Sequence, residues 1–359
     1  MPLEFAQRIR RIPVYPAADG YALDDDVAML ASNEAPFRPL PAVAAAARNA
    51  VEGVNRYPDP TSARLRAALS RRYGVPAGRI AVGNGSCDVL LAAGEALLEP
   101  GAELVYAWPS FSMYPHLAAA SGATAVTVDL DAEDRHDLDA LAEAVTVATR
   151  LVLVCNPNNP TSTAVPAAGL AGLLERVPPY VCVVVDEAYR EFATLEDPDT
   201  TVDLLQDHPN LLLLRTFSKV HGLAGLRVGF GLCGSPELRT AVDQVRQPFF
   251  LNAAAQAAAT EALSHQDEVA RRVEQTIAQR LGLVAGLRGL GLAPAASEAN
   301  FVWFGLGEDR DEAAVVQGLA EHRVLVRAGA SLGREGFLRV TVGAPDENER
   351  FLAALGELL

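Results

Sequence analysis

The chain has 359 residues, half of them hydrophobic, and a formal net charge of −15. That length exceeds the ~250–300 residues at which one core usually stops growing, so two domains are expected. The acidity argues against a nucleic-acid or anionic-membrane partner. No apolar h-region follows Arg8, Arg10 and Arg11, and no apolar run is long enough for a bilayer, so a cytoplasmic protein is expected.

Taken in chain order, the first ~45 residues are proline-rich with little periodicity and read as an arm packed on a neighbour or a second domain. Short apolar runs at Glu103–Ala107, Thr124–Val128, Leu151–Cys155, Val181–Val185, Leu211–Arg215 and Val228–Cys233 read as buried strands. Helical spacing separates them, as at Cys87–Leu98, Leu138–Ala144 and Pro166–Val177, which is the pattern of a parallel sheet covered by helices. From about Asn252 to Leu287 the chain reads as one long connecting helix. Beyond it, Phe301–Phe304, Val324–Val326 and Phe337–Val342 read as strands of a smaller α/β unit. Cys87, Cys155, Cys182 and Cys233 have neither metal-ligand nor redox spacing, and the six histidines show no ligand spacing, so no metal is assigned.

Of 30 basic residues, 29 are arginine and one, Lys219, is lysine. Arginine keeps its charge, whereas a desolvated lysine loses its proton and becomes a nucleophile for Schiff-base chemistry. Lys219 follows an apolar strand and precedes Gly222, Gly225 and Arg227, so its amine lies on a loop at a strand's C-terminal end, where open α/β sheets bind ligands. Thr216, Ser218 and Arg227 can hold a phosphate dianion. Asp186 and Tyr189 follow another strand, Asn156 to Thr161 a third, and Gly83-Asn84-Gly85-Ser86 precedes a helix whose N-terminal amides can receive an anion. Each loop has a plain reading as a turn or cap, but their convergence on one sheet edge favours a site.

These residues, with Leu30 to Glu34, Asn55 to Asp59, Pro109-Ser110-Phe111 and Leu338 to Gly343, resemble the fold-type-I pyridoxal-phosphate aminotransferases, in the histidinol-phosphate and aromatic-amino-acid branch. The resemblance implies a three-layer α/β/α large domain with a mostly parallel seven-stranded sheet over residues 46–255. It also implies a smaller α/β domain over 256–359, to which residues 1–45 contribute an arm. Lys219 would form the Schiff base and shuttle the proton between substrate Cα and cofactor C4′. Asp186 would pair with the pyridine nitrogen; Asn159 and Tyr189 would hydrogen-bond the phenolic oxygen. The phosphate would sit among Ser86, Cys87, Thr216, Ser218 and Arg227, with Tyr57 reaching in from the second subunit of a homodimer. Phe111 would stack on the ring. Arg339 would clamp the substrate carboxylate, with Arg327, Tyr15 and Asn33 as further substrate contacts.

The sequence departs from the family pattern at Ser162, where a glycine is common, and the turn is expected to close in a slightly different conformation. Asn33 to Arg38, Cys87, Phe111 and Pro248 to Asn252 also depart from the histidinol-phosphate pattern and shift the pocket towards apolar contacts; with the Pro160 to Thr163 turn and the Trp108/Phe111 region, this resembles actinobacterial aromatic-amino-acid aminotransferases. The implied reaction is amino transfer between an aromatic L-amino acid and 2-oxoglutarate. Histidinol phosphate is a close alternative donor, and a threonine-phosphate decarboxylase-like lyase is a third reading.

Overall fold

The structure is a computed structural model that describes residues 3–5, 9–10, 12 and 26–359. It opens with β1 (Ala28–Met29), α1 (Pro41–Val51), α2 (Ala63–Tyr73), β2 (Ile80–Gly83) and α3 (Ser86–Leu97). Then come β3 (Glu103–Trp108), α4 (Met113–Ser121), β4 (Thr124–Asp129), α5 (Leu138–Glu143), β5 (Thr149–Cys155) and α6 (Ala167–Arg176). The larger sheet is completed by β6 (Cys182–Asp186), β7 (Leu211–Thr216) and β8 (Gly229–Cys233). The rest comprises α7 (Pro236–Gln244), α8 (Ala253–Ala262), α9 (Gln266–Gly289), β9 (Phe301–Gly305), α10 (Glu312–Glu321), β10 (Val324–Leu325), β11 (Arg327–Ala328), β12 (Phe337–Thr341) and α11 (Pro345–Leu358).

The seven-stranded sheet has the order β2-β8-β7-β6-β5-β3-β4, and only β8 runs against its neighbours. Its central strands are buried on both faces. Side chains alternate along a strand, so Val183, Val185, Leu211 and Leu213 enter one core while Val184, Leu212 and Leu214 enter the other. Each such aliphatic contributes roughly 1.5–3 kcal/mol by burial, which explains why these runs read as continuous apolar stretches. A separate core gathers Leu30, Leu283, Val302, Phe304, Val340 and Phe351 around the antiparallel β11-β12-β9 sheet and the β1-β10 pair.

Two expectations are corrected. The run from Asn252 to Leu287 is two helices, not one: α8 closes with Ser264 and His265 amides bonded to Glu261 and Ala262 carbonyls, and His265 leaves helical geometry. Asp267 and Glu268 then favour a new N-terminus there through the helix dipole. Val324–Val326 is not one strand either, because the chain changes partners at Val326: β10 pairs with β1, and β11 pairs with β12. Residues 1–45 contribute β1, which pairs with β10, and the start of α1, whose Pro41 suits a first helical turn.

Candidate active site

Because β8 alone is reversed, the C-terminal ends of β2, β5, β6 and β7 and the N-terminal end of β8 share one edge of the sheet. The segments leaving that edge enclose a cavity of about 360 Å³. Lys219, Asp186, Tyr189, Asn159, Ser86, Cys87, Phe111, Thr216, Ser218 and Arg227 all line it, so the structure brings together ten of the residues singled out from sequence.

One end of the cavity is built for an anion. The twelve-residue α3 begins at Ser86 behind Gly85, which has no side chain to cap the first amides, and the helix dipole places partial positive charge there. Arg227 lies over this turn. A Cβ on Gly85 would come within 2.6 Å of Arg227 Nη2, so glycine is what lets the guanidinium approach. Arg227 Nη1 donates to the Ala224 carbonyl at 3.0 Å and to Ser218 Oγ at 3.4 Å, while the Ser218 amide donates to Thr216 Oγ1 at 3.0 Å. Burial, with Asp186 nearby, pushes the Cys87 thiol up to about 11, which leaves it protonated near neutral pH.

The amine and the acid stand deeper. Lys219 Nζ donates to the Ser32 carbonyl at 3.1 Å and lies 5.5 Å from the centre of the Tyr189 ring. Burial, followed by Arg339, lowers its pKa to about 7, so a large share of the amine is neutral near physiological pH. Asp186, 4% exposed, accepts one backbone hydrogen bond, from Ala188, at 3.2 Å, and burial raises its carboxyl to about 6. The Tyr189 hydroxyl accepts from Asn159 Nδ2 at 3.3 Å and Asn33 Nδ2 at 3.2 Å, and burial drives its pKa upwards. Arg339 Nη1 donates to Asn159 Oδ1 at 2.5 Å and Nη2 to the Ala31 carbonyl at 2.6 Å. Asn159 therefore joins the phenol to the guanidinium.

The other nominated residues lie elsewhere. Asn33 is buried behind Tyr189, with its backbone amide on Thr341 Oγ1 at 2.9 Å, and supports the phenol from outside the lining. Arg327 is half-buried on β11, directly across the ladder from Arg339 and outside the cavity lining. Tyr57 is 80% exposed and stacks on Phe249 with ring centres 4.5 Å apart, also outside the lining. Tyr15 lies outside the described residues. Sequence reading did not single out the Ser32 carbonyl, Glu34 or Cys155 as lining groups. Glu34 and Ser32 fall within a quoted motif, but only the tertiary approach of that segment to Lys219 gives them a position.

The turn after Asn159 corrects a further expectation. Ser162 takes φ +62, so the turn keeps the left-handed residue a glycine would supply rather than changing conformation. Its amide donates to the Asn158 carbonyl at 2.8 Å and its carbonyl accepts from Glu298 at 2.7 Å, which holds the strained backbone in place. Left-handed geometry costs a non-glycine residue roughly 1–2 kcal/mol, partly offset by glycine's greater unfolded entropy of roughly 0.5–1 kcal/mol. The Ser162 hydroxyl is also buried without a hydrogen-bond partner. Ser162→Gly is therefore expected to stabilise the protein by about 0.5–1 kcal/mol in chemical unfolding; destabilisation would count against the strain.

Residues 25–355 match the family described as aminotransferase class I and II. The chain belongs to that family. Its chemistry is that of a pyridoxal-phosphate-dependent transaminase, an enzyme. It is 48% identical to the aromatic amino acid aminotransferase of Thermobifida fusca, over 95% of this chain and 93% of that protein. It is 43% identical to histidinol-phosphate aminotransferase 1 of Cupriavidus pinatubonensis, over 97% and 92%. The crystal structure of histidinol-phosphate aminotransferase from Sinorhizobium meliloti in complex with pyridoxal-5'-phosphate is similar with a TM-score of 0.89. That match has 31% identity and covers 99% of this chain and 97% of that one. The aminotransferase's own residues fit the cofactor: a deprotonatable amine, a buried carboxylate and an uncapped helix N-terminus with Arg227 share one cavity. Among the described residues, no group of acidic, histidine or cysteine side chains could hold a metal ion, and no helix is long and apolar enough to cross a membrane.

Proposed function

We propose that this aminotransferase moves an amino group between an aromatic L-amino acid and 2-oxoglutarate. The observation that carries the donor assignment is the charge economy of the cavity. Among the described residues its only lining cations are Lys219 and Arg227, one committed to the amine chemistry and the other to the cofactor phosphate. Arg339, hydrogen-bonded to Asn159, serves the donor carboxylate. Histidinol phosphate brings a dianion and no carboxylate, so Arg339 alone would have to balance two charges, whereas an aromatic amino acid brings Arg339 a single carboxylate and a ring that needs no counter-charge. The name of the Thermobifida fusca relative supports the same reading. Histidinol phosphate is the second reading, favoured by Arg327, which faces Arg339 across the ladder and would have to turn towards the cavity.

Bound pyridoxal phosphate supplies the electron sink that makes loss of the Cα proton feasible. Asp186 would pair with the pyridine nitrogen, and Asn159 and Tyr189 would hydrogen-bond the phenolic oxygen. Ser86, the Cys87 amide, Thr216, Ser218 and Arg227 would hold the phosphate, and Phe111 would cover the ring. Lys219 would be the base that holds the proton of substrate Cα; a base so placed contributes roughly 10²–10⁴-fold.

The working unit in this reading is a cytoplasmic homodimer in which Tyr57 reaches the partner's phosphate. Its exposure beside exposed Val51, Val54 and Phe249 supports a covered face there. The large unit is assigned to 46–255 and the small unit to 256–359 with the arm 1–45, a division supported by their separate cores.

Half-reactions followed by the cofactor's visible absorption test the donor. Phenylalanine or tyrosine is expected to exceed histidinol phosphate by about tenfold or more in kcat/KM, about 1.4 kcal/mol. The opposite ranking would move the assignment to histidinol phosphate.

A further inference from the structure

The mechanism leaves unused an ion pair outside the cavity lining. Arg334, between β11 and β12, donates through Nη1 to Asp134 Oδ1 at 2.6 Å, and Asp134 belongs to the loop between β4 and α5. Both side chains are partly exposed, at 31% and 24%. Such a pair contributes little to stability, yet its surroundings are rigid. Asp134 takes φ +60 in a turn closed by Asp131, which receives the Glu133 and Arg135 amides, both at 2.9 Å. The Asp134 carbonyl accepts from Thr161 Oγ1 at 2.9 Å and Thr163 Oγ1 at 2.6 Å. Those threonines belong to the turn that carries Asn159.

The neighbouring residue touches the same turn's other support. A Cβ on Gly333 would lie 2.6 Å from Trp108 Nε1, so the backbone at 333 rests on the indole. Just beyond Trp108, the Pro109 carbonyl and Ser110 hydroxyl bond Asn158, at 3.1 and 2.7 Å. Residues 333 and 334 thus bear on both segments that grip the turn, and five residues later Arg339 bonds Asn159 itself.

We propose that Asp134 and Arg334 form a latch that positions Asn159, and through it Arg339, for the donor carboxylate. The inference rests on the assignment of Arg339 to that carboxylate. Asp134 is a positioning residue. It touches no substrate, and its effect falls on binding geometry rather than on proton transfer.

Asp134→Asn keeps the backbone carbonyl and a residue tolerant of positive φ while removing the charge that Arg334 meets. Asp134→Asn and Arg334→Gln are each expected to raise KM for phenylalanine about 3- to 30-fold, the range of couplings carried through packed networks, with a much smaller change in kcat. The double variant should match either single, and Arg334→Lys should recover part of the loss. Calorimetric binding of 3-phenylpropionate, an unreactive carboxylate, to the holoenzyme should weaken by the same factor, while the thermal midpoint barely moves. Unchanged KM and 3-phenylpropionate affinity in both single variants, or additive losses in the double, would overturn the latch. Wild-type turnover of phenylalanine is the control, since its absence would count against the donor assignment and not against the latch.

Discussion

Lys219→Arg is expected to lose turnover by at least roughly 10²–10⁴-fold, the contribution of a positioned base alone, and to lose the absorption of a Schiff-base-bound cofactor. Charge is preserved in this variant, so the loss isolates deprotonation: guanidinium neither forms an imine nor accepts a proton near neutral pH. The wild-type amine is prepared for both tasks by burial and Arg339, which bring it down to about 7. Cofactor capture by the cofactor-free protein should therefore quicken as pH rises through about 7 and level off above it. The same displacement fixes the sign of a stability effect. The unfolded chain holds the Lys219 proton up to about 10.5 and the folded chain only to about 7, so unfolding takes up a proton between those values and stability rises with pH across that window. Lys219→Met, which removes the buried ammonium, should make the cofactor-free protein more stable at pH 6, with the advantage shrinking as pH climbs. A Lys219→Arg protein that kept both turnover and cofactor absorbance would refute the amine's role.

The strands that set this geometry were legible because they are buried on both faces. Val183 to Val185 and Leu211 to Leu214 fill two cores and so appear as unbroken apolar runs. The short edge strand Ile80–Gly83 was missed as a strand, since its last residue is a glycine that reads as part of the following turn. The Gly83–Ser86 loop was expected at the same sheet edge as the loops bearing Asp186 and Lys219, but without the strand that delivers it there. Composition drew attention to Lys219, and its neighbours on a strand-end loop, Thr216, Ser218 and Arg227, decided its reading. Nothing local marks Ser32: its contribution is a backbone carbonyl, brought to Lys219 Nζ across 187 positions by tertiary packing. The break between α8 and α9 escaped periodicity for a related reason, as alanine and charged residues continue across it without glycine or proline.

Asp186→Asn is expected to separate stability from catalysis. Burial raises the Asp186 carboxyl from 3.8 to about 6, so the folded chain binds its proton more tightly than the unfolded chain in that interval. Stability consequently falls as pH rises from about 4 to about 6, and above that window the ionised carboxylate carries a penalty of roughly 3 kcal/mol. Asparagine keeps an oxygen for the Ala188 amide and has no charge to desolvate, so the cofactor-free variant should be more stable than wild type at pH 8 and lose that advantage near pH 4. With cofactor bound the order of merit reverses, because a neutral amide cannot hold a proton on the pyridine nitrogen and the ring becomes a weaker sink for the Cα electrons. Removing a preorganised charge of this kind costs roughly 10²–10³-fold, so kcat should fall by at least that much while donor binding at Arg339 changes little. Thermal melts of the two cofactor-free proteins at pH 4 and 8, set beside single-turnover rates, measure both effects. Lower stability of the variant at pH 8, or an undiminished kcat, would contradict a carboxylate held ionised at an energetic cost in order to meet a cationic ring; both results in the predicted direction would place that cost in the empty site and its return in the proton-transfer step.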